Sequence, residues 1–417
     1  MRDRVPQVER RSGAVPRPTA GRAELLWLDR HMSSHGLIQE YEQGVSPNPE
    51  WRDGQRSYIY PNLLAILAYL DNGGVDRARR IADAMTKRQQ PDGWWYTDYD
   101  YFTGRRMGGN RSHVGEAALM AMALFRVYRA TNEKRYLRSA NRASQWIKQF
   151  QMLDPKHKRR GSVTGGTDPS GKPYEWTSTE QNTSIACLWC YLGKEAYDTE
   201  LLARARLVID WLVRPVEKGG VWHAEEEYFH VGLRDASGVL SDFDEPSDCQ
   251  SLPLLALDAT RDLHGYDPAA YRGSLRWLLR HVKTVQHGDR EVRGFSVKPL
   301  DKVDSIDVSI VQYYVRAAEV VGEKELARRF RKELDKLRNE QGLLPWMIAG
   351  DSALSWPYHM PQPHPITIAF DVMKTNHFVL DDALRKRWVS IESIREASRL
   401  LTAKPSRHPL DKARGRL

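Results

Sequence analysis

Apolar and polar positions along this chain alternate in long blocks. Six apolar stretches with small residues begin near Tyr58 (YIYPNLLAILAYL), His113 (HVGEAALMAMALF), Glu180 (EQNTSIACLWCYL), Asp248 (DCQSLPLLALDAT), Asp304 (DSIDVSIVQYYVRAAEV) and His364 (HPITIAFDV), and Asn62–Leu70 and Ala117–Leu124 are apolar nearly all round. Helices of that kind must be buried on all sides. Between them lie stretches with an apolar stripe and a charged face, predicted as helices over Asp76–Gln89, Lys134–Phe150, Leu201–Leu212, Pro268–Val282 and Lys324–Leu337. An amphipathic segment at Ala23–Met32 precedes the first apolar block. The block starts recur roughly every 55–70 residues, one helical hairpin plus one long loop per repeat. An inner ring of apolar helices wrapped by an outer ring of amphipathic ones satisfies both patterns. The expectation is therefore all-α, an (α/α)6 toroid.

Short Asn-, Gly- and Asp-bearing turns, such as Asn72-Gly73-Gly74 and Gly265-Tyr266-Asp267, join inner to outer helices. The long loops then all emerge on one face, above the N-termini of the inner helices. Positive helix ends converging there favour acidic side chains and polar ligands. Residues 21–385 read as one barrel domain, with a basic tail over 1–20 and a C-terminal helix and basic tail over 386–417.

Composition removes several alternatives. A mean hydropathy of −0.61 and the lack of an apolar run of eighteen residues argue against a membrane span. Three cysteines, Cys187, Cys190 and Cys249, form no disulfide framework, so a reducing, cytoplasmic setting is expected. The CxxC spacing falls inside an apolar block, where small buried thiols are the simplest reading, and nothing calls for a metal or cofactor. The net charge of +9 sits largely on predicted solvent faces and tails. It would tolerate an anionic carbohydrate, but the basic and aromatic residues are not interleaved as in a nucleic-acid module.

Aromatic residues crowd the long loops, and flat apolar faces suit the C–H faces of pyranose rings. Tyr60, Trp94, Trp95, Trp176, Trp222 and Trp356 are candidate sugar platforms, with Asp100, His113, Asn182, Gln250, Asp307 and His359 as hydroxyl partners. Acidic residues recur where loops enter inner helices: Glu116, Glu175, Glu180, Asp242, Asp244, Asp248, Asp304 and Asp307. Any one of these is compatible with a plain helix cap, Asp304 most of all. Glu180 and Asp248 stand out, because apolar helix follows at once and a polar residue, Asn182 or Gln250, comes two positions later. Cleaving a glycosidic bond takes two carboxyls flanking one sugar, with different protonation states.

The runs SYIYPNLLAILAYLDNGGVDRARRIADAM, VGEAALMAMALFRVYRATNEKRYL, WTSTEQNTSIACL and DCQSLPLLALDA resemble bacterial members of the six-hairpin glycosidase superfamily. Those proteins carry a Ser-Thr-Glu-(His)-Asn segment and a later Asp-x-Gln-(Ser/Ala) segment, each opening an inner helix. The resemblance implies an (α/α)6 barrel acting on a carbohydrate, with Glu180 and Asp248 at the catalytic positions. Two positions depart from it: Pro61 follows Tyr60 where Asp is usual, and Gln181 stands where His is usual. Either is compatible with altered specificity or with binding without cleavage.

Three other readings share the expected fold. Gln89-x3-Gly93-x-Trp95 has the spacing of the QW motif of terpene cyclases, and Asp242-Phe243-Asp244-Glu245 approximates their DxDD acid. A sugar epimerase or lyase would use His113, His359 or His364 as base. A non-catalytic carbohydrate-binding protein would keep the barrel alone.

Overall fold

The computed structural model describes residues 22–40, 54–107, 112–235, 237–241, 246–300, 304–349, 363–373, 378, 384, 387 and 389–403. In chain order the helices are α1 (Arg22–Arg30), α2 (Ile59–Asp71), α3 (Val75–Arg88), α4 (Val114–Thr131), α5 (Lys134–Lys148), α6 (Thr179–Ala196) and α7 (Thr199–Leu212). Then follow α8 (Leu252–Ala259), α9 (Arg261–His264), α10 (Gly273–Leu279), α11 (Val308–Val320), α12 (Lys324–Lys336) and α13 (Pro365–Val372). The even helices from α2 to α8, then α11 and α13, form the inner ring. Each touches the next, and α13 returns to α2, so the ring is closed. The outer helix beside α13 is α1, at the other end of the chain. The (α/α)6 toroid is what the two kinds of blocks require.

Amphipathicity sorts the helices. Along α4, Val114, Gly115 and every residue from Ala117 to Phe125 are buried, whereas α12 buries only Ala327, Phe330 and Leu334 among thirteen residues. The stripe on α3, Ala78, Ile81, Ala82 and Met85, repeats at helical spacing toward the inner ring. Asn132 ends α4 in the left-handed conformation at φ +58°, its N–H bonding the Tyr128 carbonyl at 2.7 Å. Asn tolerates that conformation better than most residues with a side chain.

Two predicted helices come out differently. Pro268–Val282 is not one helix but a 3-10 turn, Pro268–Tyr271, followed by α10. Gly273 begins α10 where a Cβ would lie 2.4 Å from that of Glu227, so the loop can pass only because the residue is glycine. The block at Asp248 likewise opens as a 3-10 turn, Ser247–Gln250, before α8. Pro253 has no N–H to give the Cys249 carbonyl, so a regular α-turn cannot run through it.

The loops also hold short antiparallel strands that helical periodicity does not reveal. Arg56–Tyr58 pairs with Asp98–Asp100, Ser112–His113 with Gly166–Thr167, Thr177–Ser178 with Gly232–Leu233, and Ser305–Asp307 with Met347–Ala349. In each pair the first strand leads directly into an inner helix, and the second belongs to the following long loop. Buried amides reinforce this stitching. Asn62 accepts from Ile38 N–H at 2.9 Å, and Asn182 brackets Val163, accepting its N–H at 2.8 Å and donating to its carbonyl at 3.0 Å. Gln250 brackets Phe229 in the same way, at 2.9 and 2.8 Å.

The opposite end, where the inner helices finish, is held by ion pairs. Arg126 of α4 contacts Asp71 of α2, Lys194 of α6 contacts Asp262 of α9, and Arg129 lies 3.2 Å from Glu195. Arg387 reaches the same Glu195 at 3.1 Å, and Arg338 grips Asp371 at 2.6 and 2.8 Å. Arg316 donates to the last carbonyls around α13, Phe370 and Met373, at 2.7 and 2.9 Å. A C-terminal helix, Ile391–Ala403, packs on α7. Among the described residues no helix is long and apolar enough to cross a membrane.

Candidate functional site

At the N-terminal end of the inner ring lies a hollow of about 180 Å³, lined by Tyr60, His113, Gly115, Glu116, Leu119, Glu180, Gln181 and Ser184. These come from the first turns of α2, α4 and α6 and the strand entering α4. Among the described lining residues there is no Lys or Arg. Glu180 occupies the second position of α6, after a cap in which Ser178 Oγ accepts from Gln181 N–H at 3.3 Å. Its carboxyl faces the hollow but is otherwise enclosed, and burial, then the negative charges of Asp248 and Glu116, push it up to about 8.

Asp248 sits on the 3-10 turn before α8, its Oδ1 accepting from Cys249 N–H at 2.8 Å. Burial pushes its carboxyl up to about 6; the bond from Cys249 opposes this and the charge of Asp307 adds to it. A helix N-terminus favours a carboxylate by only about 0.3–1 kcal/mol, less than the roughly 1.4 kcal/mol behind a tenfold change in proton affinity. Desolvation and mutual repulsion therefore win.

Tyr60, which lines the hollow, meets Tyr313 of α11, their hydroxyls hydrogen-bonded to each other. Burial raises both phenols, and the charges of Glu180 and Asp248 raise them further, with Asp307 adding to Tyr60. Three carboxyls, from α6, the 3-10 turn before α8 and the cap of α11, thus act on one phenol. Asp307 caps α11, accepting from Ser309 N–H at 2.9 Å, Ser309 Oγ at 2.5 Å and Ile310 N–H at 3.2 Å. The capping role expected of Asp304 therefore belongs to Asp307; Asp304 is exposed, as is Glu175.

Behind His113, which lines the hollow, stands an aromatic cluster. The His113 ring lies 6.0 Å from Trp176 and 5.9 Å from Tyr174, and its Nδ1 is 3.9 Å from Glu116 Oε2. Half-buried Trp176 lies so close over Gly165 that a Cβ there would come within 2.3 Å of its ring. Trp94 is also half-buried, edge-on to Tyr96 at 4.9 Å.

The structure places other candidates away from ligand duty. Asn182 and Gln250 are fully buried, and their amides are used on the Val163 and Phe229 backbones. Trp95 is 1% exposed, its Nε1 donating to the Met85 carbonyl at 2.8 Å. Trp222 is buried between Phe229 and Tyr271. Asp100 folds its own turn, accepting from Thr103 N–H at 2.6 Å. Trp356, His359, Asp242 and Asp244 lie outside the described residues. The glutamine of the QW spacing is a clasp: Gln89 donates to the Gly93 and Ser139 carbonyls at 2.8 and 2.9 Å and accepts from Arg142 at 2.6 Å. Gln151 does the same one repeat later, toward Gly161 and Arg204. That spacing thus ties α3 to α5 and carries no chemistry of its own.

His364 caps α13 through Nδ1, which accepts from Ile366 N–H at 3.3 Å, and it stacks on Trp346 at 3.8 Å. Its Nε2 is 3.3 Å from Glu40 Oε1. Burial drives the imidazole down to about 3 and the Glu40 carboxyl up to about 8, so both partners are neutral near pH 7. With Nδ1 accepting, Nε2 carries the proton. Sequence patterns gave no sign of Tyr313, which sits inside the apolar run VSIVQYYV.

No family model matches the chain, and no curated protein sequence matches it. Solved structures do. A cellobiose 2-epimerase from Bacillus thermoamylovorans superposes at TM-score 0.64 and 12% identity, over 85% of this chain and 97% of that one. A D-mannose isomerase gives 0.63 and 10%, over 85% and 96%. A glycoside hydrolase family 76 mannosidase from Bacteroides thetaiotaomicron gives 0.56 and 11%, over 92% and 98%. At such identities the likeness concerns architecture: the chain shares the (α/α)6 barrel fold of these proteins.

Proposed function

We propose that this protein is a carbohydrate-active enzyme that cleaves a glycosidic bond, with Glu180 as acid and Asp248 as base or nucleophile. The observation that carries the reading is the convergence of the two carboxyls, from neighbouring inner helices, with proton affinities set apart by their surroundings. Near pH 7 Glu180 holds its proton and can give it to the departing glycosidic oxygen. Asp248 is ionised and can take a proton from water or attack the anomeric carbon. Tyr60 and Tyr313 sit where hydroxyls are hard to ionise, so they serve as hydrogen-bonding groups. His113, backed by Trp176 and Tyr174, offers a ring face for stacking, and the lack of Lys and Arg among the described lining residues favours a neutral sugar over an anionic one.

A second reading is favoured by a specific observation. The epimerase and isomerase superpose at higher TM-scores than the mannosidase does, and His113 stands on the wall of the hollow. On that reading His113 moves a proton beside the sugar carbonyl. The purified protein incubated with cellobiose and with mannose oligosaccharides separates the two. New reducing ends support cleavage; an epimeric product without new reducing ends supports the alternative; neither product, from a folded protein, sinks both.

A further inference from the structure

Gln181 lines the hollow beside Glu180, yet among the described residues its buried Oε1 has no hydrogen-bond partner. Its backbone N–H is committed to the helix cap, so the main chain is fixed while the amide remains uncommitted. An unmatched buried amide oxygen is unfavourable, and a ligand that brings a donor removes that cost. The amide is held where it is by Gly115, facing it from α4. A Cβ at position 115 would lie 2.5 Å from Gln181 Cγ and 2.9 Å from its Cβ, so any larger residue displaces this side chain. The hollow, about 180 Å³, is smaller than the roughly 300–1,000 Å³ of pockets for drug-sized ligands and suits one sugar ring.

We propose that Gln181 reads the sugar in this hollow, accepting a hydrogen bond from one ring hydroxyl and donating to its neighbour, and so sets which epimer is bound. A primary amide presents one acceptor and one donor in a plane, which matches a vicinal diol in one configuration and not in its epimer. The proposal rests on reading the hollow as a sugar subsite.

The test uses full-length wild type, Gln181→Met and Gly115→Ala, each checked for a cooperative melting transition. The probes are the p-nitrophenyl glycosides of glucose, mannose and galactose, assayed for turnover. The three free sugars are titrated by saturation-transfer NMR, so that binding is read even without turnover. For the preferred sugar, Gln181→Met should raise KM or Kd about fivefold to 100-fold, the loss of the two hydrogen bonds the amide makes. Its kcat should change by less than about twofold, and the preference over the epimer should shrink to near unity. Gly115→Ala, which retains the amide but shifts it, should produce the same narrowing. Unchanged affinity and unchanged epimer preference in the Met variant overturn the role of Gln181 while leaving the subsite reading intact. Failure of folded wild type to bind or turn over any probe overturns both. If the Met variant does not melt cooperatively, Gln181→Asn, which withdraws the amide by one methylene, must show the same narrowing.

Discussion

The two ends of the barrel treat acidic side chains in opposite ways. Where the inner helices finish, Asp71, Glu195, Asp262 and Asp371 each meet Arg or Lys, and the positive charges also suit the negative ends of the helices. Where the inner helices start, Glu180, Asp248 and Asp307 crowd around Tyr60, and the described lining of the hollow contains no Lys or Arg. Both ends are built from the same hairpin repeat, so architecture alone does not impose the difference. One end is electrostatically settled and holds the ring together; the other retains repulsion that a purely structural surface would shed. Groups with displaced proton affinities in a cleft are where acid and base chemistry is found.

Exchanging charges at each end breaks or sharpens this contrast. The largest effect belongs to the upper pair: Glu180→Gln and Asp248→Asn should each lower kcat by about 100-fold or more, measured on whichever substrate the product assay identifies. Full turnover in both variants would remove these residues from the mechanism. At the lower end Asp71→Asn, which leaves Arg126 without its carboxylate, should cost about 3 kcal/mol in denaturant unfolding, since breaking a largely buried pair strands a charge. Its kcat/KM should stay within about twofold of wild type. A catalytic loss there without a stability loss would erase the division of labour.

A subtler outcome is the pH profile. Below about 6 Asp248 takes up a proton and the base is lost; above about 8 Glu180 gives its proton up and the acid is lost. The kcat/KM profile should therefore be a bell with limbs near those values, which belong to the coupled pair as a whole. The smallest effect concerns stability. Glu180 binds its proton more tightly folded than unfolded, so its contribution is present at acid pH and fades as pH rises through about 8. Glu180→Gln escapes that loss and should melt about 2 °C or more above wild type at pH 8.5, with a smaller difference at pH 4. An equal shift at both pH values would mean that the carboxyl titrates normally.

Much of the frame was legible from residue pattern, because inner and outer helices differ in kind. The all-round burial of α4 and the narrow stripe of α12 are opposite solutions to the same packing problem, and each leaves its mark on sequence. Strands of two or three residues leave none, since alternation needs more positions than they have. Asn182 and Gln250 read as ligands because they follow acids at a cavity mouth; their amides instead hold neighbouring loops by the backbone. A single chain gives no way to distinguish a polar group facing a sugar from one facing a peptide. Trp95 and Trp222 fail as markers for a related reason: a loop that dives under its neighbour buries its aromatics as thoroughly as a helix does. Asp304 and Asp307 lie three residues apart, and which one caps α11 is decided by the strand Ser305–Asp307 that delivers the chain.

Because α1 lies beside α13 and α13 closes onto α2, the last inner segment to leave the ribosome is the one that completes the circle. Until then the earlier hairpins present a greasy seam with no partner, a condition that invites association between nascent chains. The ring thus closes late in synthesis, and removing α1 or α13 would open it at the same suture.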